Sequence, residues 1–438
     1  MKKILILLVL LAGCTTIQYE EHTEAGSKYV FGNGLTLLLK QNPDTGMTAI
    51  DLLVKKSIAT DGEKHGLGSF TNRMILAGTT KRTRDQITKE IEEAGGTIEA
   101  KTFVEYSEII IEIPSDSIST ALEILQDVIL NPTFDTEEIE RERKLILGEI
   151  EAKKDQPNSV IEEVFMTTFY QGHPYQHPPA GYKETIEKIT HEDLVKYYKQ
   201  WYAPNNIVIA VAGNIREKST VNAIHSLFRN MQSTRIREQT TFLPQRSKKT
   251  VQTKQMNIES FYINQGYQLI PATHEDFPAL KLSSNILGAG SGSRLFYELR
   301  DKRALAYTAY AITPSVRSTG FMKITMMSRG DVKDQALGGI TEQVELLRNE
   351  KVSEEELAMV KQKLKGFYFL DHQKTKDQAN YLALYEIQGL GYEHDINYPK
   401  LIDEVTSAEV QYVANKYFVN PAIAIAGPFE ERELVSVS

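Results

Sequence analysis

Residues 190–213 read THEDLVKYYKQWYAPNNIVIAVAG. The first half of this segment predicts a capped amphipathic helix, because apolar residues recur at helical spacing behind a threonine cap. Pro204 and the asparagines after it mark a turn, and the apolar run 207–213 predicts a buried strand. Residues 406–427 repeat the same order as TSAEVQYVANKYFVNPAIAIAG. The repeat indicates an internal duplication.

The rest of each half mixes helices with strands of alternating polarity, such as residues 105–114 and 320–328. Strands and helices do not alternate strictly, which favours the α+β class with mainly antiparallel sheets. We therefore predict two homologous α+β domains, at residues 27–231 and 255–438. The polar stretch 232–254 is predicted to be the linker between them.

Composition limits the function classes. The 438 residues are 41% hydrophobic and 25% charged, which excludes a disordered or collagen-like chain. With 50 Lys+Arg against 58 Asp+Glu the net charge is -8, so the sequence predicts no nucleic-acid partner. One cysteine excludes an internal disulfide and zinc sites built from several thiolates. Any metal site would need His and carboxylate ligands.

The N-terminus has the features of an export signal, with two lysines followed by a short apolar run. The run ends in Leu11-Ala-Gly-Cys14, which resembles a bacterial lipoprotein lipobox. That resemblance implies a signal peptide at 1–13, lipidation of Cys14, a tether at 14–26 and a membrane-anchored protein of the cell envelope. Thr15 favours the periplasmic face of the outer membrane over the inner membrane. A plain cleaved signal or a buried thiol is the alternative.

Residues 66–79 read GLGSFTNRMILAGT. This segment resembles the zinc-binding helix of the insulinase/pitrilysin-like zinc metallopeptidases, G-L-A-H-F-L-E-H-M-L-F-x-G-T, which carries an inverted HxxEH motif. That motif needs two imidazoles four residues apart to bind zinc and a carboxylate to take a proton from water. Ser69, Asn72 and Arg73 stand at these three positions. The resemblance therefore implies a degenerate member of the family with no intact catalytic residue.

The family's third zinc ligand is a glutamate on a later helix, and Glu149 matches its position. Glu142 matches a supporting carboxylate two turns earlier. We expect Glu149 to form an ion pair with Arg73 in place of a metal site. His173 and His177 lie in a proline-rich loop, where helical ligand spacing does not apply. The chain is therefore predicted to bind no metal itself.

Residues 293–307 read SRLFYELRDKRALAY and resemble the family segment S-R-L-F-x-x-L-R-x-x-x-x-L-A-Y. The resemblance implies that Arg300 and Tyr307 bind substrate. A guanidinium and a phenol can donate hydrogen bonds to a peptide carbonyl or its developing oxyanion. The alternative is that Arg300 pairs with acidic neighbours and Tyr307 is a core aromatic residue.

The resemblance covers nearly the whole mature chain and implies that its two domains form one half of a clamshell. It implies a non-catalytic, substrate-binding subunit of a heterodimeric zinc metalloendopeptidase, like the family's heterodimeric processing peptidases. Zinc is then expected in a partner subunit bearing HxxEH, with an extended peptide as substrate. The alternative is a catalytically inactive peptide-binding or scaffolding lipoprotein. An active peptidase with unusual ligands ranks last.

Overall fold

The computed structural model describes residues 17–56, 58–236 and 243–429. The strands in these ranges are β1 Ile17–Thr23, β2 Gly26–Phe31, β3 Thr36–Gln41, β4 Met47–Lys55, β5 Thr97–Thr102, β6 Tyr106–Pro114, β7 Ile207–Gly213, β8 Thr250–Gln255, β9 Ser260–Leu269, β10 Ala306–Ile312, β11 Gly320–Arg329 and β12 Ala422–Gly427. The helices are α1 Leu67–Ile75, α2 Arg84–Glu93, α3 Ile118–Leu130, α4 Thr136–Lys153, α5 Pro157–Phe169, α6 Lys183–Ile186, α7 His191–Trp201, α8 Glu217–Phe228, α9 Phe277–Gly288, α10 Lys333–Asn349, α11 Glu354–Asp371, α12 Thr375–Gln388, α13 His394–Glu404 and α14 Ser407–Tyr417.

The strands form two sheets with one shared topology. The first has the order β1-β2-β3-β7-β4-β6-β5 and the second β10-β11-β9-β12-β8. The order β3-β7-β4-β6-β5 in the first sheet corresponds strand by strand to β8-β12-β9-β11-β10 in the second. Each sheet has one parallel pair, β3 with β7 and β8 with β12. The remaining pairs are antiparallel. The predicted α+β class and the predicted duplication are both confirmed.

Alternation along the central strands explains why helices cover both sheet faces. In β7, Ile209 and Val211 belong to one core cluster, whereas Ala210 and Ala212 belong to another. In β12, Ile423 and Ile425 belong to the core cluster of the second sheet. Central strands that are buried on both faces read as continuous apolar runs. The small alanines on one face leave room for a helix to pack closely.

The chain folds into two compact units that exchange helices. Among the described residues, the first unit contains 17–150, 178–236 and 369–397, and the second contains 151–177, 243–368 and 398–429. Helix α12 therefore belongs to the first unit, where it packs on β4 and β7. Helix α5 belongs to the second unit, where it packs on β9 and β12. The compact units are thus not the contiguous segments 27–231 and 255–438 of the duplication.

Two segments predicted to be irregular contain strands. Most of the predicted tether 14–26 is strand β1, which pairs with β2 along its length. The end of the predicted linker 232–254 forms β8, paired with β12. Both strands lie at a sheet edge and are largely polar, so neither shows the apolar alternation that predicts a strand.

In the part of the chain that the structure describes, no helix combines the length and the apolar character that crossing a bilayer requires. Residues 1–16, with the predicted signal peptide and Cys14, lie outside the described residues.

Candidate functional site

Helix α1 carries the three degenerate positions, and its start is fixed by a buried carboxylate. The side chain of Asp61 accepts hydrogen bonds from the backbone N–H groups of Gly66 and Gly68, each at 3.0 Å. The first amides of a helix have no partner within it, so this carboxylate satisfies groups that would otherwise be unpaired. The helix is therefore fully formed although it lacks the family's catalytic residues.

A buried lysine lies beneath the same turn. Lys56 is only 4% exposed, and a Cβ atom on Gly68 would collide with its Nζ atom. Burial lowers the pKa of Lys56, and the negative charge of Asp61 offsets part of this shift. Burial also raises the pKa of Asp61, and the positive charge of Lys56 offsets part of that shift. The family pattern has alanine where this chain has Gly68, and that departure is the sequence signal that Lys56 needs space there.

Asn72 stands where the family has its general base and has a structural role. It is fully buried. Its Nδ2 atom donates to the backbone oxygens of Lys101 at 2.7 Å and Glu108 at 3.3 Å. Its Oδ1 atom accepts from the hydroxyl of Tyr202 at 2.9 Å. These bonds tie α1 to β5, to β6 and to the residue that follows α7. An amide has no basic site for the proton of an attacking water.

Arg73 makes the ion pair with Glu149 that the sequence predicts. Its two terminal nitrogens donate to both Glu149 carboxylate oxygens at 2.8 and 2.9 Å, a bidentate geometry. Its Nε atom donates to Glu142, which is 2% exposed. Although burial acts to lower it, the pKa of Arg73 is raised by the hydrogen bond to Glu149 and by the charge of Glu142. The guanidinium thus engages both surviving carboxylates.

The ion pair is part of a larger network that sequence reasoning missed. Arg84, at the start of α2, donates to Glu142 at 2.9 Å and to Glu138 at 2.7 Å. Glu142 therefore lies between two guanidinium groups, and no position in the motif indicates the second one. A buried carboxylate with this arrangement is compensated by protein charges rather than by a metal.

The residues at these positions do not fit a zinc ion. The hydroxyl of Ser69 is a poor zinc ligand, and Arg73 brings a fixed positive charge against the carboxylates that remain. Within residues 17–429, apart from the two gaps in the description, no group of three or more His, Cys, Asp or Glu side chains is placed to hold a metal.

The two histidines of the proline-rich loop are in the second unit, whereas α1 is in the first. His173 is 3% exposed, and its Nδ1 atom accepts from the backbone N–H of Tyr175 at 3.2 Å. Its ring also contacts the rings of Tyr170 and Tyr175. The contacts of His173 are those of a packed aromatic residue that caps a short turn.

Arg300 lies in the second unit on a π-helical turn, Phe296–Lys302. Its guanidinium carbon is 4.5 Å from the centre of the Phe296 ring, and the residue is exposed. Stacking on an aromatic ring restricts the guanidinium while leaving its N–H donors free to bind another group. Single-turn π-helices are frequent at functional sites.

Tyr307 follows at the start of edge strand β10 and is 51% exposed. Ala304, with φ of 50°, reverses the chain between the π-helical turn and the strand. The register of β10 against β11 then shifts between Ala306 and Thr308, so a bulge contains Tyr307. In the described ranges, the side chains of Arg300 and Tyr307 make no hydrogen bond to protein. The core-aromatic alternative for Tyr307 is therefore wrong.

Comparisons with other proteins agree with this architecture. The family model "Insulinase (Peptidase family M16)" matches residues 36–181, and the model "Peptidase M16 inactive domain" matches residues 188–364. The chain is similar to an uncharacterized zinc protease of Rickettsia felis, with 28% identity over 403 residues, 91% of this chain and 97% of that protein.

Solved structures show the same fold. A protease from Helicobacter pylori superimposes with a TM-score of 0.87 at 20% identity, covering 94% of this chain and 100% of that one. A peptidase M16 inactive domain from Pseudomonas fluorescens gives a TM-score of 0.84 at 22% identity, covering 92% and 98%. The two family models together match most of the chain. The chain belongs to the insulinase family, peptidase family M16.

Proposed function

We propose that this chain is a non-catalytic, substrate-binding subunit of a heterodimeric insulinase-like zinc metalloendopeptidase that acts on peptides in the cell envelope. The observation that carries the proposal is the bidentate ion pair between Arg73 and Glu149 at the family's zinc position. A zinc ion there would have to displace a guanidinium from two carboxylates without gaining an imidazole ligand. The proposal therefore assigns zinc and water activation to a partner chain with an intact HxxEH motif.

The contribution of this chain would be the pair Arg300 and Tyr307. Both side chains are exposed and carry hydrogen-bond donors that the described residues leave unused. Such donors stabilise negative charge that develops on a peptide carbonyl oxygen when water attacks it. Their effect on the rate would require no metal on this chain. This chain would bind the substrate, and the partner would hold the zinc.

The location of the reaction follows from the proposed lipidation of Cys14. Acyl chains on the mature N-terminus would hold the subunit on a membrane of the envelope, and Thr15 favours the outer membrane. Peptides in the periplasm would then be the substrates within reach.

The second candidate function is a peptide-binding or scaffolding lipoprotein that never joins a catalytic partner. The observation in its favour is the exposed row on edge strand β10, where Tyr307, Tyr310 and Ile312 are 51%, 44% and 41% exposed. An extended peptide can add to an unpaired strand edge and contact such side chains without being cut.

Purification of the tagged mature protein from its own cell distinguishes the two. We expect a stoichiometric second chain bearing HxxEH, identified by mass spectrometry. Recovery of this protein alone, without peptide hydrolysis, would favour the second candidate.

The substrate-binding role is tested by Arg300→Ala in the reconstituted pair. Loss of a charged donor should lower peptide hydrolysis about 10- to 100-fold, because hydrogen bonds to charged groups contribute about 1.5–3 kcal/mol. The matched control is Lys302→Ala, which removes a cation from the same turn but one that is paired with Glu298. It should change the rate less than about twofold. Equal rates for Arg300→Ala and the wild type, with the pair intact, would disprove the role.

A further inference from the structure

Ile17, the first described residue, is paired into a sheet and lies only three positions after the proposed lipid anchor at Cys14. Ile17 begins β1 and pairs with Phe31 of β2, and Gln18 donates to the backbone oxygen of Gly32 at 3.5 Å. Two residues separate Cys14 from Ile17. Three residues of extended chain span at most about 11 Å. An acylated Cys14 would therefore hold this end of the first sheet within about 11 Å of the lipidated residue, close to the membrane surface.

The turn after β2 links this end of the sheet to neighbouring segments. Asn33 donates through Nδ2 to the backbone oxygen of Phe228, the last residue of α8, at 3.0 Å. The hydroxyl of Ser233 donates to the backbone oxygen of Asn33 at 2.7 Å. The segment that follows α8 is thus held against the turn, beside the start of β1.

The neighbouring segments carry positive charge. Arg229 and Arg235 follow α8, and Lys199 lies in the last turn of α7, where the adjacent Gln200 donates to the backbone oxygen of Arg235 at 3.3 Å. All three cationic side chains are exposed. Among the residues that the structure describes, none of the three pairs with a carboxylate. They form a local basic surface on a chain whose net charge is -8.

We propose that this basic end, defined by Ile17, Lys199, Arg229 and Arg235, docks on the surface of an anionic lipid membrane. The inference rests on the proposed lipid anchor at Cys14. Anionic headgroups attract Lys and Arg near the surface, roughly fivefold in affinity for each residue. Ile17 is 38% exposed and adds an apolar side chain at the point closest to the bilayer. The short tether keeps the effective concentration of the surface at the membrane high.

The consequence of docking is a fixed orientation. A tether of two residues would keep the first unit at the membrane surface, and docking of the basic end would then select one orientation of that unit. The end of the sheet that holds Ile17 would face the membrane, and the opposite end, where β7 terminates at Gly213, would face the periplasm.

The orientation is measurable by energy transfer, because the chain has one cysteine and acylation blocks it. Asn230→Cys places a fluorophore beside Arg229 at the basic end, and Asn214→Cys places one directly after β7 at the other end of the sheet; both positions are exposed. The lipidated full-length protein is bound to vesicles of phosphatidylcholine with phosphatidylglycerol that carry an acceptor dye on their headgroups. We expect at least about twofold more transfer from residue 230 than from residue 214. Equal transfer would overturn the docking while leaving the anchor intact.

Charge variants separate docking from tethering. Arg229→Gln with Arg235→Gln should reduce transfer from residue 230, and pure phosphatidylcholine vesicles should do the same. The matched control, Arg216→Gln with Lys218→Gln near the start of α8, changes the net charge equally at exposed positions and should leave transfer unchanged. No effect of the first pair would overturn the role of the basic surface. An unacylated Cys14 in the mass spectrum of the mature N-terminal peptide would overturn both the anchor and the docking.

Discussion

The two units contain the same helix-to-sheet junction with different electrostatics. In the first unit, Asn380 of α12 meets Asp51 of β4 and Glu108 of β6. In the second unit, Glu162 of α5 meets Asn264 of β9 and Lys323 of β11. We refer to these triads as the first and the second junction.

Register shows that the two triads are equivalent. Asp51 pairs with Ala210 and Asn264 pairs with Ala424, and each alanine stands three residues before the glycine that ends its strand. Glu108 lies opposite Leu53, and Lys323 lies opposite Gly266, in each case two residues further along the central strand. Asn380 and Glu162 are each the sixth residue of their helix.

The second junction is balanced in charge. The amine of Lys323 donates to Glu162, and Asn264 donates to the same carboxylate at 3.2 Å. The Lys323 amine also lies 5.3 Å from the centre of the Phe165 ring, a favourable cation–π distance. Each charged group of this junction therefore has a partner of opposite sign or a polarisable neighbour.

The first junction holds two carboxylates and one amide. The Nδ2 atom of Asn380 donates to Asp51 at 2.9 Å and to Glu108 at 2.8 Å. Asp51 is fully buried, and its Oδ1 atom has no hydrogen-bond partner among the described residues. Burial and then the charge of Glu108 raise the pKa of Asp51 well above its usual range, and Lys376 and Lys101 reduce that shift.

The polar triads therefore do not decide whether the helices dock. Helix α12 packs on the face of β7 that carries Ala210 and Ala212. In the second unit, α5 packs on β9 and β12, and Gly266 of β9 permits Phe165 to approach so closely that a Cβ atom would collide with its ring. Close apolar packing supplies the docking in both units. The triads are then free to differ, and they set how docking responds to charge and pH.

The largest expected effect comes from Asn380→Glu, which places the residue of the second junction in the first. A third carboxylate beside Asp51 and Glu108 should destabilise the docking of α12 by about 3 kcal/mol or more, because it adds a negative charge next to two buried carboxylates. Adding Glu108→Lys supplies the cation that the second junction has at the equivalent position and should restore most of the loss. Hydrogen exchange of residues 375–388, read by mass spectrometry, measures both variants.

The control for added charge is Asn397→Glu, an exposed position in the same unit. It should leave the protection of α12 unchanged. If Asn380→Glu does the same, or if Glu108→Lys gives no rescue, the two junctions are not electrostatically equivalent.

Much of the fold could be predicted because its signal is local. The Ala-Gly strand ends at 207–213 and 422–427 show both the duplication and the central strands. The exchange of α5 and α12 could not be predicted, since the apolar pattern of a helix says which face is buried but not which sheet covers it. Strand β1 escaped prediction for a related reason. Its residues are partly exposed at an edge and carry no apolar alternation.

The candidate site likewise has features that the sequence predicts and features that it does not. The motif spacing identified Ser69, Asn72 and Arg73, and it also predicted that Arg73 pairs with Glu149. Both were predictable because a motif carried by helices fixes the relative positions of its residues. The motif did not predict the buried Lys56, nor the second guanidinium on Glu142 from Arg84. Burial and partners of this kind depend on contacts between segments that are distant in sequence.

A smaller loss is expected from Glu162→Ala in the second junction. Removing the carboxylate leaves Lys323, whose side chain is 7% exposed, without its anionic partner. We expect a loss of about 2–3 kcal/mol in the docking of α5, less than for a buried pair with no aromatic neighbours. Hydrogen exchange of residues 157–169 measures it. The matched control, Glu163→Ala, removes an exposed carboxylate from the next position, and equal losses for the two variants would contradict the account.

The smallest effect, and the only stabilising one, is expected from Asp51→Asn. The raised folded-state pKa of Asp51 means that unfolding releases a proton at pH values between the unfolded pKa of about 3.9 and the higher folded pKa. Stability from this group is therefore greatest below that value, falls as pH rises toward the folded pKa, and levels off above it. An asparagine does not ionise and can donate to Glu108, so the variant should gain about 1–2 kcal/mol over the wild type near neutral pH.

Urea unfolding at about pH 5 and about pH 8 tests this pH dependence, because the advantage of Asp51→Asn should grow with pH. The control Asp44→Asn removes an exposed carboxylate from the same unit and should show no such trend. In the second junction the corresponding residue is already an amide, so Asn264→Asp should reverse the sign and lower stability as pH rises. If the stability difference from the wild type does not change with pH for either variant, the buried carboxylates of the first junction are compensated more fully than their hydrogen bonds indicate. The two units would then differ in packing alone.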